Sequence, residues 1–243
     1  MNKIENVTYH GVLGRGSVYN LTVGNEQSSF HTVWLQNGPP DRLNVLAAGW
    51  TVSTPLNGNN DPRLFIYWTN DGHKTGCINN IRCKTFIQVH SSIGPRSRLS
   101  SVSTYGGTSY DYHFMIYQDP ITGNWWFVVE KKILVGYWPK EAVAELGNGA
   151  EMVAWGGLGT ISKGGVGPPI GSGHYPDGYY DHAAYFSNVQ YIINNKGSQP
   201  QSPPNNAKIT EDISSNCYGI DNDKSTPSAH WGYRFAFGGP GGC

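Results

Sequence analysis

Charge is what this sequence has least of. Only 14% of its 243 residues are Asp, Glu, Lys or Arg, where a typical globular chain has about a quarter. The 17 basic and 17 acidic side chains cancel, and no block of Lys and Arg occurs anywhere. Without a basic patch there is no counterion release to drive binding to nucleic acid, so polyanions drop out as partners. No apolar run approaches the ~20 residues that span a bilayer, which argues against a membrane partner, and the N-terminal residues lack the basic-then-apolar plan of a signal peptide. The motifs Gly-x-Ser-x-Gly, Gly-x4-Gly-Lys-Ser/Thr and His-Glu-x2-His are missing, so a serine-hydrolase elbow, a phosphate loop and a helical zinc site have no sequence basis. The 8 histidines are scattered, and none pairs at a metal-binding spacing. We expect neither a metal nor a cofactor.

Gly (32), Pro (15), Tyr (15) and Trp (8) fill the space that charge leaves. That mixture disfavours long surface helices and favours strands joined by tight turns. Short apolar or alternating stretches recur at residues 17–23, 30–36, 45–52, 63–69, 85–90, 111–118, 125–130, 152–155, 182–193 and 233–237, most of them bounded by Gly, Pro, Asn, Asp or Ser. So many strands in one chain predict an all-β sandwich or barrel. Asp119-Pro120-Ile121-Thr122-Gly123-Asn124 reads as a hairpin connection. One short helix is expected after Pro139, with Glu141 and Glu145 near its start and Gly147 as its stop. Gly14-x-Gly16 lacks the third glycine of a dinucleotide loop and reads as a turn. The Pro-rich stretch 197–206 reads as an exposed loop, since strand signals resume after it, and residues 1–243 form one domain.

Cys77 and Cys83 enclose a five-residue loop and Cys217 and Cys243 lie near the end of the chain, so the expected bridges are Cys77–Cys83 and Cys217–Cys243. Sequons at Asn6-Val7-Thr8 and Asn20-Leu21-Thr22 join the even cysteine count in pointing to secretion, with Asn6 and Asn20 as glycan acceptors.

Seven glycine- and tryptophan-rich runs occur in order: Ala48-Gly49-Trp50-Thr51-Val52, Arg63-Leu64-Phe65-Ile66-Tyr67-Trp68-Thr69, Thr75-Gly76-Cys77, Gly123-Asn124-Trp125-Trp126, Gly136-Tyr137-Trp138-Pro139, Trp155-Gly156-Gly157 and Gly171-Ser172-Gly173. Each is unspecific alone, but together they resemble the neprosin domain of plant proteins, from about Tyr9 to Cys243. The active members of that family are secreted glutamic endopeptidases that cut after proline. The resemblance implies a two-sheet antiparallel β-sandwich, proline-containing peptides or proteins as substrates, and an N-terminal pro-segment that inhibits the precursor until acid removes it. It also implies that the chain corresponds to the mature catalytic domain, with Met1 as an expression start.

The family's two catalytic glutamates directly precede Ala-Gly-Trp and Trp-Gly-Gly. Here those positions hold Ala47 and Ala154. Hydrolysis by a carboxylate pair needs one ionised member to take a proton from water and one protonated member to assist the carbonyl or the leaving amine. Alanine can fill neither role. Glu151 is an odd number of residues from Ala154, and Glu130 reads as a surface charge at a strand end, so neither substitutes. Alanine at both positions is the pattern of deliberate inactivation, and the expectation is an engineered inactive form. Strand parity places Ala47 with Val45 and Thr51 on one face and Leu46, Ala48 and Trp50 on the other. Trp50, Tyr67, Trp68, Trp126 and Tyr185 are the candidate lining of a proline-accepting cleft. The competing function is a natural non-catalytic binding module for proline-rich peptides or carbohydrate, supported by the aromatic excess. With few carboxylates to protonate, little stability should be lost in acid.

Overall fold

The computed structural model describes residues 7–194, 199–204, 207, 216–222 and 231–243. Two antiparallel sheets face each other. The smaller has five strands in the order β10-β2-β3-β4-β5: β2 (Ser28–Asn37), β3 (Asn44–Ser53), β4 (Asn59–Thr69), β5 (Cys77–Ile78) and β10 (Met152–Thr160). The larger has eight in the order β12-β13-β11-β1-β7-β8-β9-β6: β1 (Gly11–Ser17), β6 (Ile87–Gln88), β7 (Asp111–Gln118), β8 (Trp125–Val129), β9 (Ile133–Trp138), β11 (Ala184–Ile192), β12 (Gly219–Asp221) and β13 (Phe235–Gly238). The all-β sandwich expected from the sequence is the fold observed.

Alternation builds the core. Along β3, Leu46, Ala48, Trp50 and Val52 point inward, and they meet Phe114 and Ile116 of β7, Trp125 and Phe127 of β8, Trp138 of β9 and Phe186 of β11. Two indoles of the smaller sheet cross the interior to β1. Trp50 Nε1 donates to the Ser17 carbonyl and Trp155 Nε1 to the Leu13 carbonyl, both at 2.9 Å. Each buried donor is thereby satisfied by a strand of the opposite sheet.

Three local expectations change. Gly14-x-Gly16 is no turn but the middle of β1, where the register with β11 slips between Leu13 and Arg15. The glycines serve close approach: a Cβ at Gly16 would stand 2.5 Å from His31 Nε2, and one at Gly14 would stand 3.3 Å from Phe186. The strand expected at 17–23 therefore begins earlier and ends at Ser17. The expected helix after Pro139 is two short 3-10 turns, Lys140–Ala142 and Ala144–Leu146. The α-helix among the described residues is Thr54–Asn57, where Ser53 Oγ accepts from Leu56 N and Gly58 closes the turn at φ 72°. The hairpin at Asp119–Asn124 joins β7 to β8 as expected, with Asp119 N donating to the Asn124 carbonyl.

Both predicted disulfides are formed, Cys77–Cys83 and Cys217–Cys243. Asn20 is exposed just beyond β1, with Leu21 buried and Thr22 exposed beside it; Asn6 lies outside the described residues. No helix among the described residues is long and apolar enough to cross a membrane.

Candidate active site

The register of the smaller sheet brings Ala47 and Ala154 together. β2 runs between β3 and β10, and Trp34 is opposite Ala47 on one side and Ala154 on the other. Tyr67 on β4 is opposite Ala47 in turn. Ala154, Trp34, Ala47 and Tyr67 thus form one row across four strands, on the face turned away from the core. The two alanines lie two strand spacings apart, about 9.6 Å. Glutamates at these positions would face each other across Trp34.

Glycine decides where the Trp34 ring lies. Gly156 follows the next step along β10, and a Cβ there would meet only the Trp34 ring, at 3.9 Å. The indole therefore lies along the sheet beside Gly156. Gly157 points inward, and a Cβ there would stand 2.5 Å from the Phe237 ring. Gly49 sits where β2 and β3 approach each other, since a Cβ there would stand 2.0 Å from the His31 carbonyl oxygen. Beyond the glycine row, Phe30 and Phe65 pack at 4.8 Å between ring centroids. We refer to this outward row and the rings beside it as the trough; Ala47 on its floor is 6% exposed.

Tyr67 closes one wall. Its hydroxyl is 2.9 Å from His73 Nδ1, and the two rings are nearly parallel. Burial, aided by Asp71, pushes the Tyr67 phenol above its ordinary value, so it remains a hydrogen-bond donor. Hydrogen bonds from Thr75 hold the Asp71 carboxylate below its usual range. No carboxylate occupies the row itself. Glu151 is exposed just before β10, and Glu130 ends β8 on the other sheet, where its Oε1 accepts from His113 N at 2.8 Å.

Of the five aromatic residues proposed from sequence, only Tyr67 stands in this row. Trp50 cannot line a cleft, because it is fully buried between the sheets. Trp68 alternates with Tyr67, packs against the core and donates to Cys83 Sγ. Trp126 is on the outer face of the larger sheet beside Tyr137. Tyr185 is buried on β11 and donates to Asp111 Oδ2. Trp34, Phe30, Phe65 and His73 are the neighbours that sequence reasoning missed.

The sequence model of one family, Neprosin, matches residues 25–240, nearly the whole chain. The chain belongs to the Neprosin family. Membership supports a neprosin-type, peptidase-like function in general. It covers every strand of the neprosin trough, β2, β3, β4, β5 and β10. Among the described residues of this neprosin domain, no three His, Cys, Asp or Glu side chains gather as a metal would require. Its two disulfides fit an extracellular protein.

Proposed function

We propose that this fold is a secreted glutamic endopeptidase that cleaves after proline in acid, and that this chain carries its site with both acids replaced by alanine. The observation that supports the reading is the row Ala154–Trp34–Ala47, which brings two positions far apart in sequence onto one outward face. Glutamates there would share a water above the Trp34 ring. Two like charges in one site raise one pKa and lower the other, so in mild acid one carboxylate takes the proton from water while the other supplies one to the amide. The aromatic walls offer a proline ring the apolar face it packs against. In a precursor the pro-segment would lie over the same trough. Asn20, exposed next to a buried Leu21, would carry a glycan.

The test is Ala47→Glu with Ala154→Glu in one protein, given a proline-containing peptide between about pH 3 and 6. Cleavage on the carboxyl side of proline is expected, with either single replacement far less active. A correctly folded double variant that leaves the peptide intact refutes the assignment. The codons at positions 47 and 154 in the gene decide whether the alanines are engineered. If they are native, the second reading applies: a binding module that keeps the trough and lacks the chemistry. Calorimetry with a proline-rich peptide and a set of polysaccharides then identifies the ligand.

A further inference from the structure

Charge is almost absent from the smaller sheet, and what there is sits in one corner. Across β2, β3, β4, β5 and β10 the Asp, Glu, Lys and Arg side chains are Asp61 and Arg63, both on β4. The register places Arg63 in a second row parallel to the first. Leu158 of β10 is opposite Phe30 of β2, Phe30 is opposite Thr51 of β3, and Thr51 is opposite Arg63. Beyond β4 the row continues to Arg98, which pairs with Arg63 in an antiparallel bridge. Residues paired across a ladder share a face, and so do residues four apart along a strand, so this row opens on the same outward side as Ala154, Trp34, Ala47 and Tyr67. Each strand advances four residues from one row to the other, as from Ala47 to Thr51, which is about 13 Å.

Two guanidiniums share one carboxylate in that corner. Arg63 Nη2 is 3.1 Å from Asp61 Oδ2, and Arg98 Nη2 is 3.2 Å from Asp61 Oδ1. Arg63 is held a second time, because its Nη1 donates to the Arg96 carbonyl at 3.1 Å. The backbone fixes the segment that carries Arg98: Leu64 N donates to the Ser97 carbonyl, Arg96 N to the Leu64 carbonyl and Leu99 N to the Pro62 carbonyl. Two cations against one anion leave a positive charge uncompensated in a sheet that is otherwise neutral. Arg98 presents it. Its side chain is 65% exposed, whereas that of Arg63 is 24% exposed. Apart from the contact with Asp61, the Arg98 N–H donors meet no protein acceptor among the described residues.

A guanidinium with free donors pairs best with a carboxylate, through hydrogen bonds that charge strengthens and that the planar fork can make in pairs. A peptide supplies that group from an Asp or Glu side chain or from its C-terminus. From Trp34 to Arg63 the path crosses two strand spacings and four residues, a diagonal of about 16 Å, which an extended chain covers in about five residues. We propose that Arg98, with Asp61 and Arg63 holding it in place, is a specificity subsite for a peptide carboxylate about five residues from the bond held over Trp34. The inference rests on the reading of the trough as a peptide site. It needs no carboxylate at position 47 or 154, so the subsite exists in this chain as it stands. Selection by charge at a distance is a different requirement from a proline at the bond. Asp61 competes with the incoming carboxylate for the same arginines, which keeps the attraction weak enough for release.

The probes are acetylated, amidated peptides with one central proline in a neutral glutamine-rich background, each with a single glutamate about three to seven residues to one side of the proline. Binding to the unaltered protein is measured by calorimetry at about pH 6, where glutamate is ionised. At one position the glutamate peptide is expected to bind about fivefold more tightly than its glutamine parent, and added salt to shrink the difference. Arg98→Gln should abolish that advantage and leave the glutamine parent's affinity unchanged, whereas Asp61→Asn should enlarge it. A purely structural role for the three side chains predicts no such opposite shifts. Ending the glutamine peptide in a free carboxylate at the same position separates the two sources: a gain there assigns the subsite to chain ends, a gain from glutamate alone to acidic side chains. The proposal is overturned if no acidic peptide binds more tightly than the neutral parent, or if folded Arg98→Gln keeps the advantage. An Arg98-dependent gain in a protein whose double-glutamate variant cleaves nothing would refute the proposed chemistry and leave the subsite standing. Cleavage without any acidic preference would do the reverse.

Discussion

His31 should set how much acid the fold tolerates. Its ring is 1% exposed, packed between Trp50, Phe186 and Phe237 at centroid distances of 5.3, 4.2 and 5.0 Å. Neither ring nitrogen has a hydrogen-bond partner among the described residues. Burial alone drives its pKa from 6.5 down to about 3. The sign follows from proton counting. Below pH 6.5 the unfolded chain binds a proton at this residue that the folded chain refuses, so stability is fully present above that pH and is lost as the pH falls toward about 3. Each unit costs about 1.4 kcal/mol, so at about pH 4 the loss from this one side chain is about 3 kcal/mol. Against a typical total of about 5–15 kcal/mol, that is a large share.

The assay is urea unfolding of the unaltered protein and of His31→Leu at about pH 7.5 and pH 4. The leucine variant should lose about 3 kcal/mol less on acidification. Parallel pH profiles would refute the reasoning, as would an NMR titration of His31 centred near its ordinary value. His113 adds to the same slope. Its pKa falls to about 4, chiefly through burial and then through Lys131 and Arg15. The scarcity of carboxylates suggested a fold indifferent to acid; the two buried histidines predict a loss of stability in acid instead.

Gly49→Ala should be severely destabilising, by more than about 3 kcal/mol, because its Cβ would fall 2.0 Å from one backbone atom and 2.9 Å from another. Gly164→Ala is the control: it meets only Ser162 Oγ at 3.7 Å, and its melting temperature should hardly change. Replacing both cysteines of a bridge by serine should cost about 3.5 kcal/mol at Cys217–Cys243 and about 2.2 kcal/mol at Cys77–Cys83, since they span 26 and 6 residues. Equal losses would show that loop length is not the governing quantity.

Much of the fold was legible because alternation is a local signal. β7 was read at its observed bounds and β3 to within one residue at each end. β10 was cut short at Trp155, because Gly156, Gly157 and Gly159 look like turn residues. Their purpose is to admit Trp34, Phe237 and Pro168, which no local pattern reveals. β1 was missed for the same reason. For the proposed site, the order of motifs singled out positions 47 and 154, which the register places in one row, and parity alone already set Trp50 on the opposite face from Ala47. Residue type had nominated Trp50 regardless. Trp34 was invisible because its importance comes from β2 running between β3 and β10, a pairing made across long stretches of chain.

That arrangement fixes how the trough responds to disturbance. The spacing of positions 47 and 154 is set by two backbone ladders, not by loops. One of those ladders belongs to β10, which among the described residues is an edge strand with no hydrogen-bonded strand on its far side. Whenever β10 frays, half of the site departs with it. Amide exchange along residues 152–160 therefore measures the fraction of molecules in which the proposed site is assembled, and that fraction multiplies whatever chemistry glutamates introduced at positions 47 and 154 perform.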